Sequence, residues 1–526
     1  MASREQDGCF LHAGFLRSAA RHPDRPALSL RGQHWTYAEL DELARRLAAE
    51  LIGSLGRPPG RVGLLTNKSL VSYVGMLAIL YGGGAVVPLN RTFPVSRIRV
   101  MAMTADVDVI VTDTDADSAG QPEELTTADW QPRVVVLSEA ASAPRLRTPH
   151  TPAEEDLAYL LFTSGTTGTP KGVPISHGNI AHFLHNNTGR YDFGVDDRFT
   201  QIFSQTFDLA ICDIFSAWQS GGCVVPLDAI HQLAPFRFVR EQGITVWCSV
   251  PSTVTLLRHK GLLTPGSLPT LRWSLFCGEV LTEENADAWQ LAAPNSTVEN
   301  LYGPTEVTIT SLAHRWDPAG SPRSGGEGGV PIGTPHPGVL TMIVDAYGRP
   351  VGPGEDGQLC LAGPQVFSGY WRAPELTAAA LFTAPDGTGV SRTWYRTGDL
   401  VRRLPDGEHV FLGRTDHQVK VHGMRVELGD VEAHLKALPG VGQSAVVALP
   451  GEIDGGVRLV AFVVGPDLDA ASATGLVDAL RGRVPNYMVP QRLHVLPEVP
   501  LNHNGKTDRA ALMELAAHPS DRKVTP

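Results

Sequence analysis

The chain has 526 residues, 44 of them Lys or Arg against 55 Asp or Glu, and so carries a formal charge of −11 at neutral pH. With 42% hydrophobic and 19% charged residues it is too apolar, and too weakly charged per residue, to be a disordered chain. No Lys/Arg-rich stripe offers the electrostatic footprint of a dedicated nucleic-acid binder, and the length supports about two to four structural units.

The N-terminal MASREQDGCFLHAGF lacks an apolar core of signal-peptide length. No uncharged apolar run of about 18 residues occurs, so no membrane partner is expected. A mean hydropathy of −0.06 agrees. Cys9, Cys212, Cys223, Cys248, Cys277 and Cys360 form no CxxC pair and no Cys/His ligand spacing. Reduced thiols in a cytoplasmic protein are the expectation.

In chain order, Thr36-Tyr37-Ala38-Glu39 reads as a capping box, with Leu40, Leu43, Leu47 and Leu51 at helical spacing and a break from Gly53 to Gly60. Short apolar runs at 61–66, 84–89, 107–112 and 133–137 then alternate with helical stretches, the signature of parallel α/β layers. The alternation continues through 245–249 and 274–276. Residues 318–338 read as a Gly/Pro-rich surface loop before a β-rich section at 340–370. From Val419 the texture becomes that of a small α+β unit, with a helix near 431–438 and a strand near 458–464. The predicted fold is a multi-lobed α/β N-terminal domain followed by a small α+β C-terminal domain, with fraying from about Ala517.

The most informative segment is LAYLLFTSGTTGTPKG, residues 157–172. A strand-like run ends in Thr163-Ser164-Gly165-Thr166-Thr167-Gly168-Thr169-Pro170-Lys171-Gly172. Small residues let backbone N–H groups and hydroxyls wrap phosphate oxygens, and Lys171 supplies charge. It is not a Walker loop: Pro170 stands where the second Gly belongs, and Gly172 replaces the Mg²⁺-binding Ser/Thr.

That segment resembles the signature of the adenylate-forming superfamily, specifically the amino-acid adenylation domains of nonribosomal peptide synthetases. Further motifs follow in family order across nearly the whole chain. They are WTYAEL from Trp35, YGGGAVVPLN from Tyr81, FDLA from Phe207, NLYGPTE from Asn300 and GQLCLAGPQVFSGY from Gly357. YRTGDL from Tyr395, GRTDHQVKVHGMRVELGDVE from Gly413, VPNYMVP from Val484 and NGKTDR from Asn504 complete the set.

The resemblance implies two half-reactions: a carboxylate and ATP give acyl-adenylate and pyrophosphate, and a thiol then takes the acyl group. Lys506 would stabilise charge growing on the α-phosphate, where a point charge on a flexible stem suits a mobile domain. Glu306 resembles the Mg²⁺-binding Glu, and Thr305 would touch the α-phosphate. The phosphate loop (Thr163 to Gly168, with Lys171), Gly278, Gly303, Leu301 and Phe411 would complete the ATP site. Asp399 would accept both ribose hydroxyls with Arg414 assisting, while Asn300 meets the adenine edge and Tyr302 offers a stacking face. Asp416 resembles the family hinge, dividing an adenylation core, 1–415, from a mobile domain, 416–526. Lys506 would point inward in one state; in the other, the loop at 420–423 would line a channel for the thiol arm.

Phe207-Asp208 lies in an otherwise apolar stretch, where a carboxylate requires a partner. The resemblance assigns Asp208 to a substrate ammonium, which points to an amino acid, with Asp213 as the rival and an N-capping role as the structural alternative. The corresponding pocket positions are Asp208, Leu209, Cys212, Ser252, Leu275, Cys277, Leu301, Ile309, Thr310 and Lys506. Apart from Asp208 and Lys506 they are neutral, favouring a small or medium neutral amino acid and offering no second carboxylate. FDLAICD and LFCGEVL also resemble D-alanine–carrier-protein ligases and stand-alone prolyl ligases.

His177, His182 and His185 share helical spacing without HExxH and are not expected to bind metal, and GGEGG at 325–329 is read as plain loop. Only 17 residues follow Arg509, too few for a carrier domain. The expected partner is therefore a separate acyl or peptidyl carrier protein, met in trans through local basic or apolar contacts. A coenzyme A ligase of the same superfamily and a non-catalytic binding subunit remain the alternatives.

Overall fold

The computed structural model describes residues 10–113, 125–127, 130–137, 144–165, 168–227, 231, 235–323, 329–451, 456–502 and 506–517. Two mainly parallel sheets form the large N-terminal domain. One has six strands in the order Arg133–Val136, Val109–Thr112, Arg61–Thr66, Ala85–Asn90, Leu157–Thr163 and Lys171–Ser176. All its pairs are parallel except the last. The other has nine strands, with Trp273–Cys277 and Thr297–Tyr302 side by side in its parallel region.

The two sheets share one core. The helix Leu70–Tyr81 is buried along its whole length, and its side chains join Leu28 and Val224 of the nine-stranded sheet to Val62 and Val109 of the six-stranded one. A helix apolar on every face is stable only when enclosed in this way. The capping box at Thr36 forms as the sequence predicts: the Thr36 N–H donates to Glu39 Oε2 at 2.8 Å and the Glu39 N–H to the Thr36 hydroxyl at 3.2 Å. The helix it starts runs through Gly53 to Leu55 and ends at Gly56, whose φ of +71° is the left-handed conformation of a helix terminator. The break therefore falls inside the expected interval from Gly53 to Gly60, at Gly56.

A five-stranded antiparallel sheet, including Asp356–Ala362, Ser391–Arg403 and His409–Arg414, closes the large domain. Beyond it the small domain holds the hairpin Gln418–Val421/Met424–Glu427, a three-stranded sheet, and helices Leu428–Lys436, Ser472–Arg481 and Arg509–Ala517. The first of these helices begins three residues before the expected start, because Leu428 and Val431 together face the core. The small domain docks on the large one through buried Arg97–Asp430 (3.3 Å) and the Phe93–Tyr487 ring contact. Fraying beyond Ala517 concerns residues outside the described ones, as do Cys9, Thr166, Thr167 and most of GGEGG. Among the described residues no helix is long and apolar enough to cross a membrane.

Candidate active site

A cavity lies between the domains at the carboxyl ends of the parallel strands, where open α/β sheets place their ligands. Thr163 and Ser164 leave one sheet and Cys277, Gly278, Tyr302 and Gly303 the other, while Lys420 to Arg425 face them from the small domain. The phosphate loop is the turn of an antiparallel hairpin, Leu157–Thr163 with Lys171–Ser176, rather than a strand-to-helix turn. A side chain at Gly165 would meet the Thr169 carbonyl at 2.1 Å, so the loop closes only around glycine.

Asp399 anchors one end of the cavity. It accepts from Tyr302 Oη at 2.5 Å and pairs with Arg414, which also grips Asp416 at 2.7 Å through two nitrogens. Burial opposes the Arg414 charge, yet the hydrogen bond to Asp416 and the charge of Asp399 hold its pKa above the usual value. Asn300 is already engaged: its amide donates to the Val330 and Pro331 carbonyls at 3.1 and 2.9 Å. It does not line the cavity, and neither do Phe411 or Leu301.

Behind Thr305 and Arg425, which line the cavity, the Glu306 carboxylate is wholly buried; neither it nor Lys171 lines the cavity itself. Arg425 Nη1 donates to its two oxygens at 2.8 and 2.9 Å, and Tyr370 Oη donates at 2.7 Å. Burial alone would raise the Glu306 pKa, but Arg425 and Tyr370 hold it below the usual value. Ser164 Oγ donates to the Arg425 carbonyl at 2.9 Å and accepts from the Glu427 N–H at 3.0 Å, and Lys171 lies 3.3 Å from the Glu427 carboxylate. Glu279 bridges the domains, accepting from the Ser252 N–H at 2.9 Å and the Gly423 N–H at 2.7 Å. Gly423 has φ +76°, and a Cβ there would stand 2.3 Å from Val250 Cγ1, so only glycine permits this approach. Lys506 is exposed and does not line the cavity, and its N–H is held by Asn502 Oδ1 at 3.1 Å. The arrangement present is the one with the 420–423 loop at the site.

The ten pocket positions divide. Asp208, Leu209, Cys277 and Ile309 line the interdomain cavity; Cys212, Leu275, Leu301 and Thr310 line a second, apolar hollow behind it. Ser252 and Lys506 line neither. Phe207 is the N-cap of helix Asp208–Ser220 and Asp208 its first residue, whose carboxyl accepts from the Leu209 N–H within that first turn as well as from Thr305. Burial pushes the Asp208 pKa up to about 6, against the opposing hydrogen bond from Thr305. Asp213 is a second buried carboxyl on the rear hollow, contrary to the expectation of none. Burial raises its pKa well above the usual value, opposed by a hydrogen bond from Cys248 and the charge of Lys68.

Thr308 (φ +56°) and Ile309 (φ +71°) stand consecutively in the left-handed region, a strained conformation for β-branched residues. Gln365 holds them there, donating to the carbonyls of Val307, Thr308 and Thr310 at 3.2, 3.3 and 2.8 Å. Sequence reasoning assigned no role to Gln365, Glu279, Arg425, Glu427 or Tyr370. All five lie inside quoted motifs, the only signal that could have found them.

These features define an AMP-binding enzyme. The chain matches the AMP-binding enzyme family over residues 15–371 and the AMP-binding enzyme C-terminal domain over residues 430–506, and it belongs to that family. It is 35% identical to phosphinothricin tripeptide synthetase PhsC of Streptomyces viridochromogenes over 97% of this chain, which spans 46% of that protein. It is 33% identical to the D-alanine--D-alanyl carrier protein ligase of Lacticaseibacillus rhamnosus over 95% of this chain and 98% of that one. Among solved structures, the Vibrio cholerae adenylation domain AlmE, in complex with glycyl-adenosine-5′-phosphate, superposes with a TM-score of 0.82 at 28% identity, covering 98% of this chain and 99% of that chain.

Proposed function

We propose that this protein activates a small or medium neutral amino acid as its aminoacyl-adenylate, then transfers it to the phosphopantetheine thiol of a carrier protein. The observation that carries the reading is Asp208: a buried carboxyl whose pKa burial pushes to about 6 despite the Thr305 hydrogen bond and the charge of Lys420, on a cavity whose far end is the Asp399–Tyr302–Arg414 cluster. An α-ammonium group is the counter-ion that such a carboxyl calls for. The family membership and the end-to-end match to a carrier-protein ligase support both the reaction and a separate carrier as partner.

In the first half-reaction a substrate carboxylate oxygen attacks the α-phosphorus of ATP. The bond to the β-phosphate breaks and pyrophosphate leaves. The phosphate loop and Lys171 bind the leaving phosphates, Thr305 orients the α-phosphate, and Asp399 holds the ribose. Lys506 reaches the same centre only after the small domain turns about Asp416, the boundary between the units 1–415 and 416–526. Glu306 suits a divalent cation, because its two buried oxygens already hold a positive group. Among the described residues no cluster of three or more His, Cys, Asp or Glu exists, so the remaining ligands would come from phosphates and water. Mg²⁺ bound there would supply charge neutralisation to the phosphates. In the second half-reaction a thiolate attacks the acyl carbon and AMP departs. The described cysteines are buried and free, in keeping with a reducing cytoplasm.

Amino-acid-dependent ATP–pyrophosphate exchange tests the reading across a panel of acids. Exchange with a small neutral amino acid is expected. Silence with every amino acid would refute it, and exchange only with fatty or aryl acids would give the coenzyme A ligase instead.

A further inference from the structure

The strand Met424–Glu427 meets three groups of the large domain at once: Glu306, Ser164 and Lys171. Residues two apart on a strand point to the same side, about 6.6 Å from one another. Arg425 therefore lands on the carboxylate and Glu427 on the ammonium. A covering strand needs no particular charge order, yet here each charge has the sign of a ligand that its seat would otherwise take. Arg425 stands where a divalent cation would meet Glu306, and Glu427 where a phosphate oxygen would meet Lys171.

We propose that Arg425 and Glu427 are positioning residues for the thiol-transfer half-reaction, occupying the seats of the metal and the departing phosphates so that the small domain docks only once magnesium pyrophosphate has gone. This rests on the proposed assignment of Glu306 and Lys171. A buried carboxylate stripped of its cation is costly, so Glu306 requires one positive partner in each arrangement. Arg425 Nη1 spans both Glu306 oxygens, so a cation entering that seat meets a like charge, just as a phosphate entering at Lys171 meets the Glu427 carboxylate. Tyr370 stays on Glu306 as the constant third partner. Glu279 supplies the second latch point at Gly423, leaving the Arg425–Glu427 pair to sense whether the phosphate seats are filled.

The test uses the full chain with nitroxide labels at Tyr347→Cys, an 84% exposed position of the large domain, and Asp478→Cys of the small domain, with Cys9→Ser. Pulsed dipolar spectroscopy then reads the interdomain distance without amino acid or ATP. Ligand-free protein should show the docked distance. Inorganic pyrophosphate with MgCl₂ should lower that population at least about fivefold. Arg425→Ala should lose it without ligand, Arg425→Lys should retain both it and its response, and Glu427→Gln should weaken it. In turnover, Arg425→Ala should lower the ratio of thiol transfer to ATP–pyrophosphate exchange by about tenfold. No docked distance in ligand-free wild type, no response to magnesium pyrophosphate, or an unchanged population in Arg425→Ala would each overturn the proposal. Should Arg425→Ala fail to fold, Arg425→Lys and Glu427→Gln decide. The label measurement involves no amino acid, so failure of the exchange panel and failure of this inference are distinguishable.

Discussion

The Asp208 carboxyl gives the sharpest test of the proposed substrate class. Burial lifts its pKa from 3.8 to about 6, so ionising it in the empty site costs about 3 kcal/mol relative to water. An ammonium that binds beside it recovers that cost, and the bound carboxyl should return to the ordinary acidic range. Only the ionised form can make the pair. Amino-acid kcat/KM should therefore be level above pH 7 and fall through pH 6, reaching about a tenth of its plateau near pH 5. ATP KM at saturating amino acid should not share that limb. Asp208→Asn removes one member of a buried pair, a loss of about 3–5 kcal/mol, or roughly 10²–10⁴-fold in kcat/KM. The variant should also lose the limb near pH 6. Exchange rates from pH 5 to 8 on both proteins provide the measurement. A wild-type profile flat to pH 5, or an Asp208→Asn profile retaining the limb, would show that another group titrates and that Asp208 does not face the ammonium.

Three more outcomes follow from other parts of the molecule. Lys506→Ala should lower adenylation by at least about a hundredfold while transfer from preformed adenylate stays within a few-fold, because Lys506 does not line the cavity when the hairpin is docked; single-turnover kinetics of each half separates the two. Gln365→Ala removes the one amide group whose two N–H donors serve three carbonyls of the strained turn and should destabilise the protein by about 2–3 kcal/mol in urea, with a raised amino-acid KM because Ile309 lines the cavity. Burial keeps three histidines neutral, with pKa values of about 3 for His12, about 4 for His177 and about 3 for His336. The unfolded chain takes up these protons below pH 6.5, so stability present at neutral pH is lost as pH falls from 6.5 toward 4, by about 2 kcal/mol per histidine at pH 5. His336 has no hydrogen-bond partner at either ring nitrogen, so His336→Leu should flatten part of that loss in urea midpoints at pH 7.5 and 5.

What could be read from the chain was local. The Thr36–Glu39 box and the strand at 61–66 each depend on residues within one element, and Arg61–Thr66 appears with the expected bounds. The groups that escaped reading act across the chain. Arg425 finds Glu306 119 positions away, Glu427 finds Lys171 256 away, and Gly423 finds Glu279 144 away. No periodicity encodes such pairs. The split of the pocket positions has a helical cause: Asp208 and Leu209 open the helix at the cavity, while Cys212 and Asp213, one turn on, lie level with the rear hollow. Position along a motif carries no information about that depth.

The net charge of −11 makes the local arrangement the deciding one. An anionic nucleotide gains nothing from the overall field, so attraction must come from a few cations held in place. The docked arrangement places those cations on protein carboxylates: Lys171 on Glu427, Arg425 on Glu306, Arg414 on Asp399 and Asp416. The first two pairs are seats filled from within the chain, and a cation at Glu306 or a phosphate at Lys171 must displace a protein charge of its own sign. The exchange is between charges of the same sign at the same seats, so neither domain arrangement leaves a buried ion unpaired. Raising ionic strength should shift the docked population far less than adding magnesium pyrophosphate, because buried pairs are screened poorly. The interdomain distance measured in 0.5 M KCl distinguishes the two, and a docked state that salt alone dissolves would mean that surface charge, not the paired seats, holds the domains together.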